Sequence, residues 1–330
     1  MRIVLFGATG TIGQASARAL LSQGHEVICP VRARTAGPRG SYGAANPNVQ
    51  EMLAGATLHW GGPEDMLAAQ STLFQREPID AVVSCLASRT GRPRDAWAVD
   101  YQMHADILRM ARLHDVKHFV LLSAICVQKP LLEFQHAKLA FEKLLVESGM
   151  RYSIVRPTAF FKSLSGQVQR LRQGKPYLMF GDGQLTACKP ISDQDLANFI
   201  AECLTDPAKH YRILPVGGPG EAITPLAQGT YLFERLAMRP RFRRVPLRVI
   251  DGIIRGLSFA GHVIPGLADK VELARIGRYY ATESMLVWDA VRQIYDASAT
   301  PSYGTMTLFE HYDQLIDGGG RVDLGDHAVF

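Results

Sequence analysis

The chain has 330 residues and is 47% hydrophobic, enough to bury a large core as one domain or two coupled lobes. A formal charge of +5 and a pI of about 9.0 favour an anionic ligand, but no basic stripe is sustained enough to read as a nucleic-acid surface. Five cysteines (29, 85, 126, 188, 203) are scattered, without C-x-x-C or histidines at zinc spacing, so they read as reduced core thiols and no metal site is expected.

The first residues, "MRIVLFGATG", are a strand running into a glycine turn, with no signal or transit peptide ahead of them. The expectation is a cytoplasmic protein. "TIGQASARALLSQG" is helical and closes on Gly24, and "HEVICPVR" is a second strand. "IDAVVSCLAS" (79–88), "HFVLLSAIC" (118–126) and "YSIVRPTAFF" (152–161) are further buried strands, separated by helices across 95–115 and 131–145. Near-continuous apolar strands alternating with helices specify an α/β fold with a parallel, doubly wound sheet.

Beyond residue 160 the alternation weakens. "ISDQDLANFIAECL" is a helix, and "HYRILPVGG" is a strand returning to the sheet. This gives a dinucleotide-binding domain of residues 1–158 and 190–218 and a smaller C-terminal substrate lobe of 159–189 and 219–316. Residues 317–330 form a Gly- and Asp-rich tail, expected to be loose. "VIDGIIRGLSFAGHVIPGL" (249–267) is too interrupted to span a bilayer and reads as a helical lid or pocket wall, with peripheral membrane contact as the lesser alternative. The run "RPRFRRVPLR" (239–248) reads as a solvated face sooner than a binding patch.

Chemistry begins at "GATGTIG". Gly7, Gly10 and Gly13 stand between a strand and a helix, the context that gives this spacing its meaning. Gly7 permits the tight turn, Gly10 lets the backbone approach a pyrophosphate, and Gly13 lets the helix pack closely. Thr9, Thr11 and Ile12 complete the cradle, whose helix N-terminus offers N–H donors to phosphate. The motif binds a dinucleotide. An NAD site would carry an acid after the second strand; here stand Arg32 and Arg34, which suit a 2′-phosphate, so the expected cofactor is NADPH.

Other candidates sit at the tips of later strands. Cys85, Leu86 and Ala87 pass under the nicotinamide ribose, and Ser123 ends its strand as the short-chain dehydrogenase serine does. "LLEFQHAKLAFEKLL" (131–145) resembles the catalytic Tyr-x-x-x-Lys helix of those enzymes, but only the lysine is present: Lys138 remains and Phe134 replaces the tyrosine. Lys138 is positioned for a ribose hydroxyl; the plainer alternative is a surface lysine paired with Glu142. Pro157 and Phe160 flank the nicotinamide.

The blocks "VVSCLASRTGRPRDAWAVDYQ", "HFVLLSAICVQKPLLEFQHAKLAFE", "YSIVRPTAFFKSLSGQV", "GKPYLMFGDG", "CKPISDQDLANFIA", "GRYYATESMLV" and "TPSYGTMTL" resemble the NADPH-dependent 8-vinyl reductases of chlorophyll biosynthesis, which are atypical short-chain dehydrogenases with a Rossmann sheet. The similarity runs from the first strand to about residue 308 and covers the substrate half as well as the cofactor half. It implies reduction of the C8 vinyl group of a divinyl chlorophyllide or protochlorophyllide, a magnesium tetrapyrrole, to ethyl in (bacterio)chlorophyll biosynthesis. Without a transit peptide, a bacterial member is expected, acting in the cytoplasm or at the membrane surface.

The resemblance also accounts for the missing phenol. Carbonyl reduction creates an alkoxide that needs a proton donor beside it, whereas a vinyl group has no oxygen to protonate. Hydride addition at the terminal carbon leaves charge spread through the macrocycle, and the proton goes to carbon from Lys138, Cys126, Lys162 or water. An apolar Phe134 also suits a flat, greasy substrate. Two alternatives remain at this point: a catalytically inactive NADP-binding regulator or photosynthetic-complex assembly factor of the same fold, and an isoflavone-reductase-like enzyme acting on small phenolics.

Overall fold

Short apolar runs build the main sheet. Its strands are β1 (Arg2–Phe6), β2 (Glu26–Arg32), β3 (Thr57–Gly61), β4 (Ala81–Ser84), β5 (His118–Leu122), β6 (Arg151–Pro157) and, once β7 (Tyr177–Phe180) has left for the second lobe, β8 (Arg212–Val216). Their order is β3-β2-β1-β4-β5-β6-β8, with every neighbour parallel. This computed structural model describes residues 1–32, 48–61, 77–261 and 267–319. Leu5 pairs with Val83, which pairs with Val120, so the carboxyl ends of β1, β4 and β5 finish level. Strand order reverses between β1 and β4, the switch point where ligands bind in such sheets.

Helices cover both faces. On one, α1 (Thr11–Ser22) packs against the helix that precedes β8. In chain order the helices after α1 are α2 (Val49–Met52), α3 (93–113), α4 (Glu133–Glu147), α5 (Phe161–Leu164) and α6 (Gly166–Arg172), which makes that partner α7 (Asp193–Thr205). Ala15, Ala19 and Leu20 meet Ala197, Ile200 and Ala201, and the alanines allow the two helices to approach closely. On the other face Ile107, Leu108, Phe141 and Leu145 pack on Phe119 and Ile154. Burying each of these larger side chains stabilises the fold by about 1.5–3 kcal/mol. The α3 helix is composite: an α-helical start, Pro93–Ala96, passes through the π-helical stretch Trp97–Met103 into His104–Leu113.

The second lobe surrounds Leu171, Tyr177, Phe233 and Tyr312. It contains α8 (Pro225–Arg235), β9 (Phe242–Val245) parallel to β7, the paired helices α9 (Leu247–Gly261) and α10 (Leu267–Thr282), the hairpin β10 (Val287–Asp289) with β11 (Ile294–Asp296), and α11 (Leu308–Asp317). The 249–267 stretch is therefore mostly α9, and among the described residues no helix is long and apolar enough to cross a membrane. Strand β6 ends at Pro157 instead of running to Phe161. Phe160 bridges to Ile191 and Thr158 Oγ1 donates to the Lys189 carbonyl, so the chain turns off the sheet before α5 begins. Residues 320–330 of the expected tail lie outside the described residues.

Candidate active site

The glycine turn is fixed by close approach. Gly7 has φ +75°, and a Cβ there would lie 2.6 Å from the Cys85 carbonyl carbon, so the β1 and β4 tips are in direct backbone contact. A Cβ on Gly13 would lie 2.1 Å from the Gly7 oxygen, which is why α1 can begin pressed against the turn. Gly10, the N-cap of α1, would meet only the Gly7 oxygen, at 3.4 Å, and no side chain caps the helix. Ile12 is buried beneath the turn, whereas Thr9 and Gly10 are exposed. Uncapped N–H groups beside an open glycine suit a diphosphate, so the residues present fit a dinucleotide.

Lys162, a sequence candidate for proton donation, is placed at this turn instead: its Nζ donates to Thr11 Oγ1 at 3.1 Å. A cation beside Thr11 suits a phosphate held at the turn. Asp193, at the start of α7, faces Lys162 and Arg18; burial raises its carboxyl against their pull, and its Oδ1 is buried with no partner among the described residues. Arg32 is exposed at the carboxyl end of β2, and Arg34 lies outside the described residues. Cys85 and Leu86 are half-buried and Ala87 is exposed at the same sheet edge. Burial pushes the Cys85 thiol up to about 12, so it is an inert neighbour of the turn.

Beyond β4 the loop is tied to the π-helical stretch. Ser88 N–H donates to Asp100 Oδ1 at 3.2 Å, and Thr90 donates to Asp95 through both N–H and hydroxyl. The same Asp100 oxygen accepts from Lys138 Nζ at 2.9 Å. Asp100 is wholly buried and the Lys138 side chain is only 11% exposed. Lys138 is thus no surface lysine, and its partner is Asp100 where the helical spacing had suggested Glu142. Asp100 Oδ2 is buried and lacks a partner among the described residues; a ligand hydroxyl would complete it. Below it, His104 Nδ1 donates to the Val99 carbonyl at 2.9 Å, which leaves Nε2 to accept from Ser84 Oγ at 2.9 Å.

Three further expectations change. The Ser123 hydroxyl donates to Glu142 Oε1, and Glu142 also pairs with Arg156, so Ser123 belongs to a buried hydrogen-bonded network. Cys126 is buried and its thiol is pushed up, first by desolvation, which makes it a poor acid. Phe134 is packed with Ala96, Ala137 and Tyr279, beneath Ile276 of α10. Its ring fills the seam between the lobes instead of lining an open wall. Pro157 is buried and Phe160 packs on the core at the turn into α5.

Sequence reasoning missed Asp100 and two tyrosines of α10. Tyr279 donates to the Cys126 carbonyl at 2.9 Å, and the Tyr280 hydroxyl meets the Cys126 thiol; although the Tyr280 residue is 39% exposed, desolvation of its hydroxyl end holds its pKa well above the usual phenol value. The signals available were an acid inside "AWAVDYQ" and adjacent phenols in "GRYYAT". A cavity of about 130 Å³ lies in the second lobe, walled by Leu164, Gln167, Tyr177, Met179, Leu185 and Ala281. It is below the roughly 300–1,000 Å³ of small-molecule pockets and carries no argument about the substrate.

The NAD(P)H-binding family matches residues 7–207. Divinyl chlorophyllide a 8-vinyl-reductase of Oryza sativa subsp. indica is 49% identical over 99% of this chain and 82% of its own length. The chain belongs to the divinyl chlorophyllide a 8-vinyl-reductase family. The Arabidopsis thaliana member is 43% identical over 99% of this chain and 79% of its length. Photosystem II assembly factor Ycf39 of Cyanophora paradoxa is only 27% identical, over 95% of this chain and 91% of its length. Among solved structures, the leucoanthocyanidin reductase–NADPH complex of Vitis vinifera superposes with a TM-score of 0.66 at 15% identity, covering 96% of this chain and 100% of that one. That likeness speaks for the fold alone.

Proposed function

We propose that this protein reduces the C8 vinyl group of a divinyl chlorophyllide or protochlorophyllide to ethyl, with NADPH as the reductant. The carrying observation is near-full-length identity of 43–49% to reductases named for that reaction, against 27% to an assembly factor. When bound, NADPH supplies the hydride. The chain's own residues bind and orient. The Gly7–Gly13 turn and the start of α1 hold the diphosphate, Lys162 adds a cation beside Thr11, and Arg32 pairs with the 2′-phosphate. Lys138 has three N–H donors; one goes to Asp100, leaving two for the nicotinamide ribose. Asp100 fixes where that ammonium points, and Ser88 and the π-helical stretch fix Asp100.

Phe134 cannot exchange a proton, and the vinyl group gives it no oxygen to serve. Packed under Ile276, it keeps water out of the seam above Lys138. The deciding experiment mixes the purified protein with divinyl chlorophyllide and NADPH and follows the Soret band. A shift to shorter wavelength, absent with NADPH or protein alone, is expected. An unchanged spectrum with a protein that binds NADPH would instead favour the regulator or assembly-factor reading. Parallel runs with divinyl protochlorophyllide rank the two pigments.

A further inference from the structure

The outward side of α9 combines two features that the reductase reading does not use. Along one face run Val249, Gly252, Ile253, Gly256 and Phe259, at three- and four-residue spacing. Val249 is 49% exposed, Ile253 51% and Phe259 83%. The opposite side packs on α10, where Arg278 and Asp251 pair at 2.5 Å, so this stripe is not the helix's core-facing side. Exposure of a whole apolar helix face is unusual, and it marks a surface awaiting a partner.

The second feature is charge. Arg239, Arg241, Arg243, Arg244, Arg248 and Arg255 are all exposed, and none has a carboxylate partner among the described residues. No acid occurs between Arg239 and Ile250. Arg248 and Arg255 are seven residues apart and line one edge of the apolar stripe, and β9 delivers Arg243 and Arg244 immediately before the helix. The stripe's complement is apolar and its margin's complement is anionic. Three partly exposed side chains fall well short of the roughly 800 Å² per partner that a stable protein interface buries. A helix lying in the plane of a bilayer needs no such area: it sinks its apolar face to the acyl boundary while arginines reach the headgroups.

We propose that α9 and the β9 arginines dock this protein on the surface of an anionic lipid bilayer, with Val249, Ile253 and Phe259 inserted and the guanidinium groups on lipid phosphates. Glycines at 252 and 256 keep the inserted face flat.

The test is flotation of the full chain with vesicles of phosphatidylcholine alone or mixed with phosphatidylglycerol, at low and high salt. Binding to the mixed vesicles that falls as salt rises is expected, with little binding to phosphatidylcholine. Arg243→Glu/Arg244→Glu and Ile253→Asp/Phe259→Asp should each weaken it at least about tenfold, while melting temperature and vinyl reduction in detergent stay as in the parent. No flotation on phosphatidylglycerol, or equal flotation of parent and variants, overturns the proposal. So does a concentration-dependent dimer abolished by Ile253→Asp/Phe259→Asp, which would assign the face to a second copy of the chain. Because reduction is assayed separately, loss of the reductase reading would leave this result standing.

Discussion

Lys138 and Asp100 form the pair on which the site turns, and their burial alters what a substitution reports. Removing the ammonium alone strands a wholly buried carboxylate, and breaking a buried pair in this way costs about 3–5 kcal/mol. Lys138→Met is therefore expected to lower the melting temperature as well as the rate. Adding Asp100→Asn should restore most of the stability but leave kcat/KM at least about tenfold low, about 1.4 kcal/mol of transition-state stabilisation. A double variant that is stable and turns over like the parent would remove Lys138 from the reaction. Arg32 is tested through cofactor choice. Arg32→Ala should weaken NADPH binding by about 1.5–3 kcal/mol, the range of charge-assisted hydrogen bonds, and leave NADH binding nearly unchanged; equal weakening for both would give Arg32 another part. Lys138 was legible because its spacing from Phe134 survives in one helix. Asp100 was not, since its approach depends on a π-helical turn that no residue pattern announces.

Among elements, the long strands and helices of the sheet were readable because burial on both faces demands unbroken apolar runs, as in "RIVLF" and "HFVLL". What escaped was short or half-solvated. Strand β3 is mostly not buried, β9 reads "FRRV", and β10 and β11 are three residues each, so only distant pairing defines them. The seam between α4 and α10 escaped for the same reason, and one glycine reports on it. Gly91 has φ +64°, and a Cβ there would lie 2.9 Å from Ile276 Cδ1 and 3.6 Å from Phe134 Cδ1. Gly91→Ala is expected to destabilise by about 1–2 kcal/mol from the left-handed backbone alone. Ile276→Val in that background should relieve the contact but not the backbone strain, so urea unfolding should show a partial rescue. Full rescue would mean that packing alone requires the glycine; no loss in Gly91→Ala would mean that neither does.

For the whole molecule, acid should be the weak side, and two buried histidines say where the loss begins. His104 packs on Phe141 between the sheet and α4, and desolvation first, then the Lys138 charge, lowers its pKa to about 4. His118 donates to Ser153 Oγ, whose own proton goes to the Lys209 carbonyl, and burial with His210 and Arg151 nearby lowers it to about 3. Both are neutral in the fold at pH 5, whereas in the unfolded chain they titrate near 6.5. Between those values the unfolded state holds more protons, so stability is complete above about pH 6.5 and falls as the pH drops toward 4. Each histidine should take away about 2 kcal/mol between pH 7 and pH 5. Depressed carboxylates such as Asp206, Asp296 and Glu310 contribute only near and below their ordinary range, so they do not mimic this loss. Asp193, raised by burial, acts above its ordinary carboxylate range, where it opposes part of this loss. Urea unfolding at pH 7 and pH 5 should show the drop, to which His25 and His311, also lowered, add, and His118→Gln, which keeps an N–H for Ser153, should remove about 2 kcal/mol of it. An unchanged slope in that variant would place the acid sensitivity elsewhere, with His104→Gln the next comparison; a drop confined below pH 4 would assign it to carboxylates instead.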